Sequence, residues 1–192
     1  MLMHSLVLSF FAFKGGNMKY FKKIVGERLY LSPMNVEDAE TYVNWLNNRG
    51  VSDNLGMTAS VVRVPGEKEY IESKKSSDYD FSIVLNDDTL IGNISLMDVN
   101  HISRKATLGI FIGDEDNRSK GYGTEAMKLL VEYGFNILGL HNIDLNVFSF
   151  NERAIKAYEK VGFKEYGRRH ESYFLDGKYH DEISMEIINE RN

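Results

Sequence analysis

The stretch that decides the fold is Asp116-Asn117-Arg118-Ser119-Lys120-Gly121-Tyr122-Gly123-Thr124-Glu125-Ala126. Downstream of it, Met127, Leu130, Val131, Phe135 and Leu138 recur at three- and four-residue spacing, which predicts an amphipathic helix running to about Leu138. Lys128, Glu132 and Asn136 fall on other faces, and Gly139 stands where a C-terminal cap belongs. A charged loop therefore feeds a Gly-x-Gly turn, and the turn opens a helix. The first amides of a helix lack internal acceptors and sit at the positive end of its dipole. Glycines let the backbone approach a ligand, and Arg118 and Lys120 add positive charge, so the turn suits a phosphate or pyrophosphate. A glycine-rich helix start with no ligand fits Gly-x-Gly alone equally well, and the flanking segments decide between the two.

Outward from this turn, Ser103 to Ile112 reads as the strand before it and Asn142 to Phe148 as the strand after its helix. Asn151 then caps a helix through about Val161, with Ala154, Ile155, Tyr158 and Val161 on one face and Gly162 at its end. Residues 163–175 and 179–188 form a hairpin around Asp176-Gly177. On the N-terminal side, residues 27–33 alternate as a strand, and Asn35 caps a helix over 36–47. Residues 51–65 read as loop, and a second helix follows Pro65 over 66–73. Residues 80–85 and 89–99 are strands flanking the turn at Asn86-Asp87-Asp88. The order is strand, two helices, three strands, helix, strand, helix, two strands. This predicts an α/β (α+β) domain with a mixed sheet of about seven strands and helices on its faces.

At 192 residues with 43% hydrophobic content, one domain is expected, spanning residues 18–192. Residues 1–17 read as an N-terminal extension. Leu6 to Phe13 is too short to span a bilayer, and Met1 to His4 lacks the basic start of a signal peptide. The formal net charge of −5, with only short basic clusters, argues against a nucleic-acid partner, and no membrane partner is expected. With no cysteine there is neither a disulfide nor a thiolate nucleophile, which suits a reducing cytoplasm. His170, His180 and Asp181 lack metal-ligand spacing, so no metal is implied. Ser149 near His141 has no nucleophile elbow.

Gly121-x-Gly123-x-x-Ala126 with Asp144 also matches a dinucleotide fingerprint. That reading fails on position. The glycines do not follow their strand at once, Asp144 lies inside the next strand rather than at its end, and antiparallel-looking strands come first. Three pieces in order fit better: Leu108-Gly109-Ile110-Phe111-Ile112; Arg118-x-x-Gly121-x-Gly123; and Asn151-x-x-Ala154-x-x-x-Tyr158-x-Lys160-x-Gly162-Phe163. Together they resemble the GNAT superfamily of acetyl-CoA-dependent N-acetyltransferases, closest to its RimJ/RimL and spermidine-acetyltransferase branch. Arg104-Lys105-Ala106 and Tyr173-Phe174-Leu175-Asp176-Gly177-Lys178-Tyr179 also fit that branch. The resemblance covers about residues 26–189.

The resemblance implies a mostly antiparallel sheet with a V-shaped split between its fourth and fifth predicted strands, and acetyl-CoA as co-substrate. It implies that the backbone at Arg118, Ser119, Lys120, Gly121, Tyr122, Gly123 and Thr124 holds the pyrophosphate, and that Ile110, Phe111 and Ile112 face the pantetheine arm. Asn151 and Ala154 would lie along the same arm. Tyr158 would touch the cofactor and act as general acid, protonating the departing thiolate. The implied acceptor is a primary amine of a protein N-terminus, a polyamine or another small amine. A general base stays open among Asp98, His101 and Glu171. The alternative is a non-catalytic acyl-CoA-binding or sensor module on the same fold. Subunits of such families often pair, so a homodimer is expected.

Overall fold

The computed structural model describes residues 18–190; the expected extension at 1–17 lies outside them. Eight strands form one sheet: β1 (Ile24–Val25), β2 (Leu29–Pro33), β3 (Tyr79–Leu85), β4 (Leu90–Asn100), β5 (Lys105–Ile112), β6 (Asn142–Phe148), β7 (Lys164–Leu175) and β8 (Lys178–Ile188). Their spatial order is β1-β2-β3-β4-β5-β6-β8-β7, antiparallel throughout except for β5 against β6. The count exceeds the expected seven because β1 has two residues, too few to show an alternation. The helices are α1 (Ala39–Leu46), α2 (Arg49–Ser52), α3 (Val64–Glu72), α4 (Tyr122–Asn136) and α5 (Glu152–Val161). The helix expected over 36–47 is divided: Asn35 caps a 3₁₀ turn at Val36–Asp38, and α1 follows. The expected loop at 51–65 begins inside α2 and continues as a second 3₁₀ turn at Asp53–Leu55.

Strand alternation assigns the two faces. Phe81, Ile83, Ile94, Leu96, Leu108 and Ile143 join Met127, Leu130 and Val131 of α4 in the main core. On the opposite face, Tyr42 and Leu46 of α1, Val51 of α2 and Ile71 of α3 form a second cluster that takes in Phe111. The Tyr42 hydroxyl bonds the buried Ser82 Oγ at 2.8 Å, and Tyr42, Trp45 and Phe111 meet edge to face. Consecutive residues of β5 thus serve different layers, Ile110 and Ile112 toward α4 and Phe111 toward α1.

The parallel contact of β5 with β6 is short. Only Lys105–Thr107 pair with Asn142–Asp144, whereas β6 pairs with β8 over its whole length. Beyond Thr107 and Asp144 the two strands part, which is the expected V-shaped split. The tip of β5 is held by packing: Gly113 lies against Trp45, and an added Cβ would come within 2.0 Å of the indole Cδ2. Gly66 in α3 has nothing within 4 Å of the same added atom. Gly113→Ala should cost about 1–3 kcal/mol through overpacking. That lowers the thermal midpoint by about 3–10 °C in a domain of this size. Gly66→Ala should be neutral or stabilising by up to about 1 kcal/mol through helix propensity. Thermal melts followed by the single tryptophan test both; equal midpoints for the two variants would refute the packing argument.

Candidate active site

The split in the sheet opens into a cleft of about 590 Å³ between β5, β6, α2, the start of α4 and the length of α5. At one end lies the Gly-x-Gly turn. Ser119 and Gly121 both have left-handed backbone (φ 61° and 84°), so the chain coils tightly before α4. The first bond into the helix runs from the Glu125 N–H to the Gly121 carbonyl at 3.0 Å. Among the described residues, none of the six preceding amides, Ser119 to Thr124, has an acceptor. Consecutive amides in such a coil converge on one concavity, and the helix dipole adds to their field. A Cβ on Gly123 would meet Ile110 Cδ1 and Ile112 Cγ1 only at 3.8 Å, ordinary contact. The protein's own packing therefore does not demand glycine there; the missing side chain leaves open space in the cup.

Two arginines hold this cup in shape. Arg118 Nε donates to the Ile112 carbonyl at 3.0 Å and Nη2 to the Gly113 carbonyl at 2.9 Å, while its own amide donates to Glu115. Its side chain is 10% exposed; burial, and then the neighbouring charge of Arg153, push its pKa below the usual arginine value. The positive charge expected from Arg118 at the cup is thus spent on strand-end carbonyls. Of the backbone donors expected in the cup, Arg118 alone is already bonded. From the other side, Arg28 donates from Nη1 to the Lys120 carbonyl at 2.9 Å and from Nε to Glu125 at 2.8 Å, and lies over the Tyr122 ring. Burial alone would raise the Glu125 carboxyl; hydrogen bonds from the Arg28 amide and guanidinium outweigh it and hold the group below the usual carboxylate range. Lys120 contributes its amide to the cup, but its side chain is exposed and off the cleft wall.

Along the slot, the Gly113 N–H donates to Ile91 of β4. Counting back by twos, Phe111 and Gly109 aim their backbone groups at β4, whereas Ile110 and Ile112 aim theirs at the gap. Ile110 and Ile112 therefore present open amides, as expected. Phe111 does not: its amide belongs to the β4 ladder, and only its ring touches the cleft. The same count on β6, from the Ser149 N–H bonded to Asp181, turns the Asn146 and Phe148 amides toward the gap. The sequence places this strand on the other side of the split but does not single out Asn146 and Phe148, which strand alternation picks out.

Helix α5 forms the far wall. Asn151 Oδ1 accepts from the Ala154 N–H at 3.2 Å, capping the helix; its amide nitrogen has no partner among the described residues. Ala154 and Ala157 keep the wall low, and Gly162 in left-handed conformation ends the helix. Arg153, Lys156 and Lys160 also line the cleft. Their three- and four-residue spacing was the signal available for this basic stripe. Tyr158, 8% exposed, packs edge to face on Phe163 at 6.0 Å and lines the cleft, its hydroxyl without a hydrogen bond to any described residue. Burial pushes the phenol up to about 12. The three general-base candidates, Asp98, His101 and Glu171, are exposed and off the cleft wall. On the hairpin, Arg168 and His170 pair with Asp181 at 3.1 and 3.3 Å.

Residues 28–164 match the acetyltransferase (GNAT) domain family. The chain is 34% identical over 168 residues to the spermidine N(1)-acetyltransferase of Escherichia coli K12, covering 82% of this chain and 84% of that protein. It is 32% identical over 176 residues to the probable N-acetyltransferase YjcK of Bacillus subtilis, covering 85% and 96%. Among solved structures, the spermidine N-acetyltransferase of Vibrio cholerae in complex with CoA and spermine superposes with a TM-score of 0.77 at 27% identity, covering 85% of this chain and 96% of that one. Fold, cleft and relatives together make this chain a member of the GNAT acetyltransferase family, an enzyme that moves the acetyl group of acetyl-CoA onto an amine.

Proposed function

We propose that the chain acetylates a primary amine of a small polyamine-like acceptor by direct transfer, in the cytoplasm. The observation that carries this reading is the run of six unbonded amides, Ser119 to Thr124, at one end of a cleft that also holds the unbonded phenol of Tyr158. The cup binds the diphosphate of CoA through these amides, with Arg153, Lys156 and Lys160 supplying positive charge along α5. Ile110, Ile112, Asn146 and Asn151 offer donors to the amide-bearing arm and to the acetyl oxygen. The polyamine class is supported by the spermidine-acetylating relatives named above. Without cysteine, the acetyl group has no thiol on this chain to rest on.

The chemistry follows from the groups present. The neutral acceptor nitrogen adds to the thioester carbon, and the carbonyl electrons move to oxygen. Collapse of that oxyanion breaks the carbon–sulfur bond, and Tyr158 donates its proton to the departing sulfur. The acceptor nitrogen loses its extra proton to water, since none of the three expected bases lines the cleft. A phenol raised to about 12 stays protonated across the working range and remains a donor. A non-catalytic acyl-CoA sensor would need no such phenol, and the enzyme relatives do not favour it.

Tyr158→Phe should lower kcat about a hundredfold, the low end for general-acid catalysis, with the acetyl-CoA Kd within about twofold of wild type by calorimetry. Wild-type turnover by the variant would remove Tyr158 from the mechanism. The kcat of the wild-type enzyme should show no alkaline fall below about pH 11, because the acid does not ionise until about pH 12; a limb near pH 9 would assign the proton to another group. Arg118→Ala strips both donors from the Ile112 and Gly113 carbonyls. It should weaken acetyl-CoA binding about tenfold or more and cost about 1–3 kcal/mol of stability. Unchanged acetyl-CoA affinity would show that the cup does not depend on that brace.

A further inference from the structure

The cleft is electrically lopsided. Its basic side chains, Arg118, Arg153, Lys156 and Lys160, all belong to the turn before α4 and to α5. Among the described residues one carboxylate lines it, Glu182 of β8. Glu182 stands opposite Phe148 in the β6–β8 register, two residues from Ser184, whose hydroxyl bonds Asn146 Oδ1 at 2.8 Å. It therefore shares the sheet face on which Asn146 and Phe148 border the open part of the split. Phe148 stacks on Tyr173 with ring centroids 4.1 Å apart, an apolar wall beside the carboxylate.

Glu182 is half-buried, and its carboxylate makes no hydrogen bond or ion pair with any described residue. Its neighbours differ: Asp181 holds Arg168 and His170, and Asp176 holds Arg49. Arg169 stands across from Glu182 on β7 without forming an ion pair with it. A carboxylate partly withdrawn from water, beside aromatic carbon, interacts more strongly with an incoming cation than one in bulk solvent.

The reacting nitrogen of an acceptor must be neutral when it attacks. Any second amine on the same molecule keeps its proton, with a pKa near 10.4 in model compounds, and carries its charge into the cleft. We propose that Glu182 receives this second, non-reacting ammonium and so selects di- and polyamines over monoamines. The assignment rests on the acetyl-transfer reading above and adds to it the residue that reads the acceptor.

The test compares 1,4-diaminobutane and spermidine with n-butylamine as acceptors for wild type, Glu182→Gln and Glu182→Asp, with acetyl-CoA affinity and melting temperature as folding controls. In Glu182→Gln, the ratio of kcat/KM for diamine over monoamine should fall about tenfold or more, mainly through the diamine KM, the size of one lost charge pair. Glu182→Asp should recover part of that ratio. The wild-type diamine KM should also rise with salt. An unchanged ratio, or an equal loss on diamine and monoamine through kcat, overturns the assignment. If wild type binds acetyl-CoA but acetylates none of these amines, the acceptor reading fails. Glu182 is then judged by calorimetric titration of the CoA-loaded protein with 1,4-diaminobutane: weaker binding in Glu182→Gln supports it, and equal or absent binding in wild type overturns it.

Discussion

Six consecutive backbone N–H groups, Ser119 to Thr124, must stay ordered without bonding to any described residue. An unpaired backbone donor is costly once water is removed, so chains ordinarily close such gaps with turns or caps. Here the opposing carbonyls are occupied instead. Arg118 takes those of Ile112 and Gly113, and Arg28 takes that of Lys120. With these acceptors engaged from either side, the amides keep their direction and remain available. Hydrogen bonds from charged donors contribute about 1.5–3 kcal/mol each where buried. Arg118, 10% exposed, should therefore matter more than Arg28, which is 45% exposed.

The split sheet reflects how firmly each strand is held on the side away from the gap. It pairs with β8 at seven positions and with β5 at three. β5 in turn is committed to β4, and its tip is fixed against Trp45 through Gly113. The far-side ladders and the Trp45 contact fix the direction of each strand, so neither swings across toward the other, and the opening persists at the end where the Gly-x-Gly turn arrives. The cup and the split are thus one device: the Arg118 brace joins the end of β5 to the turn, and the turn begins the helix that packs beneath the slot.

What the sequence made legible was local. The periodic apolar residues of α4, the Asn151 and Gly162 caps of α5 and the Asp176-Gly177 turn each carry their signal within a few residues, and the structure has them where expected, except that α4 ends at Asn136 with Ile137 as its cap, short of Leu138 and of the cap expected at Gly139. What escaped depends on distant partners. The Arg28 contacts with Lys120 and Glu125 join positions 92 and 97 apart, and no local pattern marks them. Arg118 looked like a ligand-facing charge because sequence shows the charge but not its burial. The three acids and bases suggested by topology fail for a similar reason: Asp98 and Glu171 lie in left-handed backbone on exposed segments, off the cleft wall.

Burial also answers an objection to Tyr158. A phenol raised to about 12 looks too weak an acid to protonate a thiolate whose conjugate thiol has an ordinary pKa near 8.5. That comparison mixes two solvents. The sulfur would depart into the same enclosed cleft that disfavours the phenolate, and desolvation raises the basicity of any anion formed there. The two values rise together, so the gap that governs the transfer is narrower than that mixed comparison suggests. The residue that forms the wall and the residue that gives up the proton can therefore be the same one, because the apolar packing of Tyr158 on Phe163 both positions the hydroxyl and keeps it protonated until an anion appears beside it.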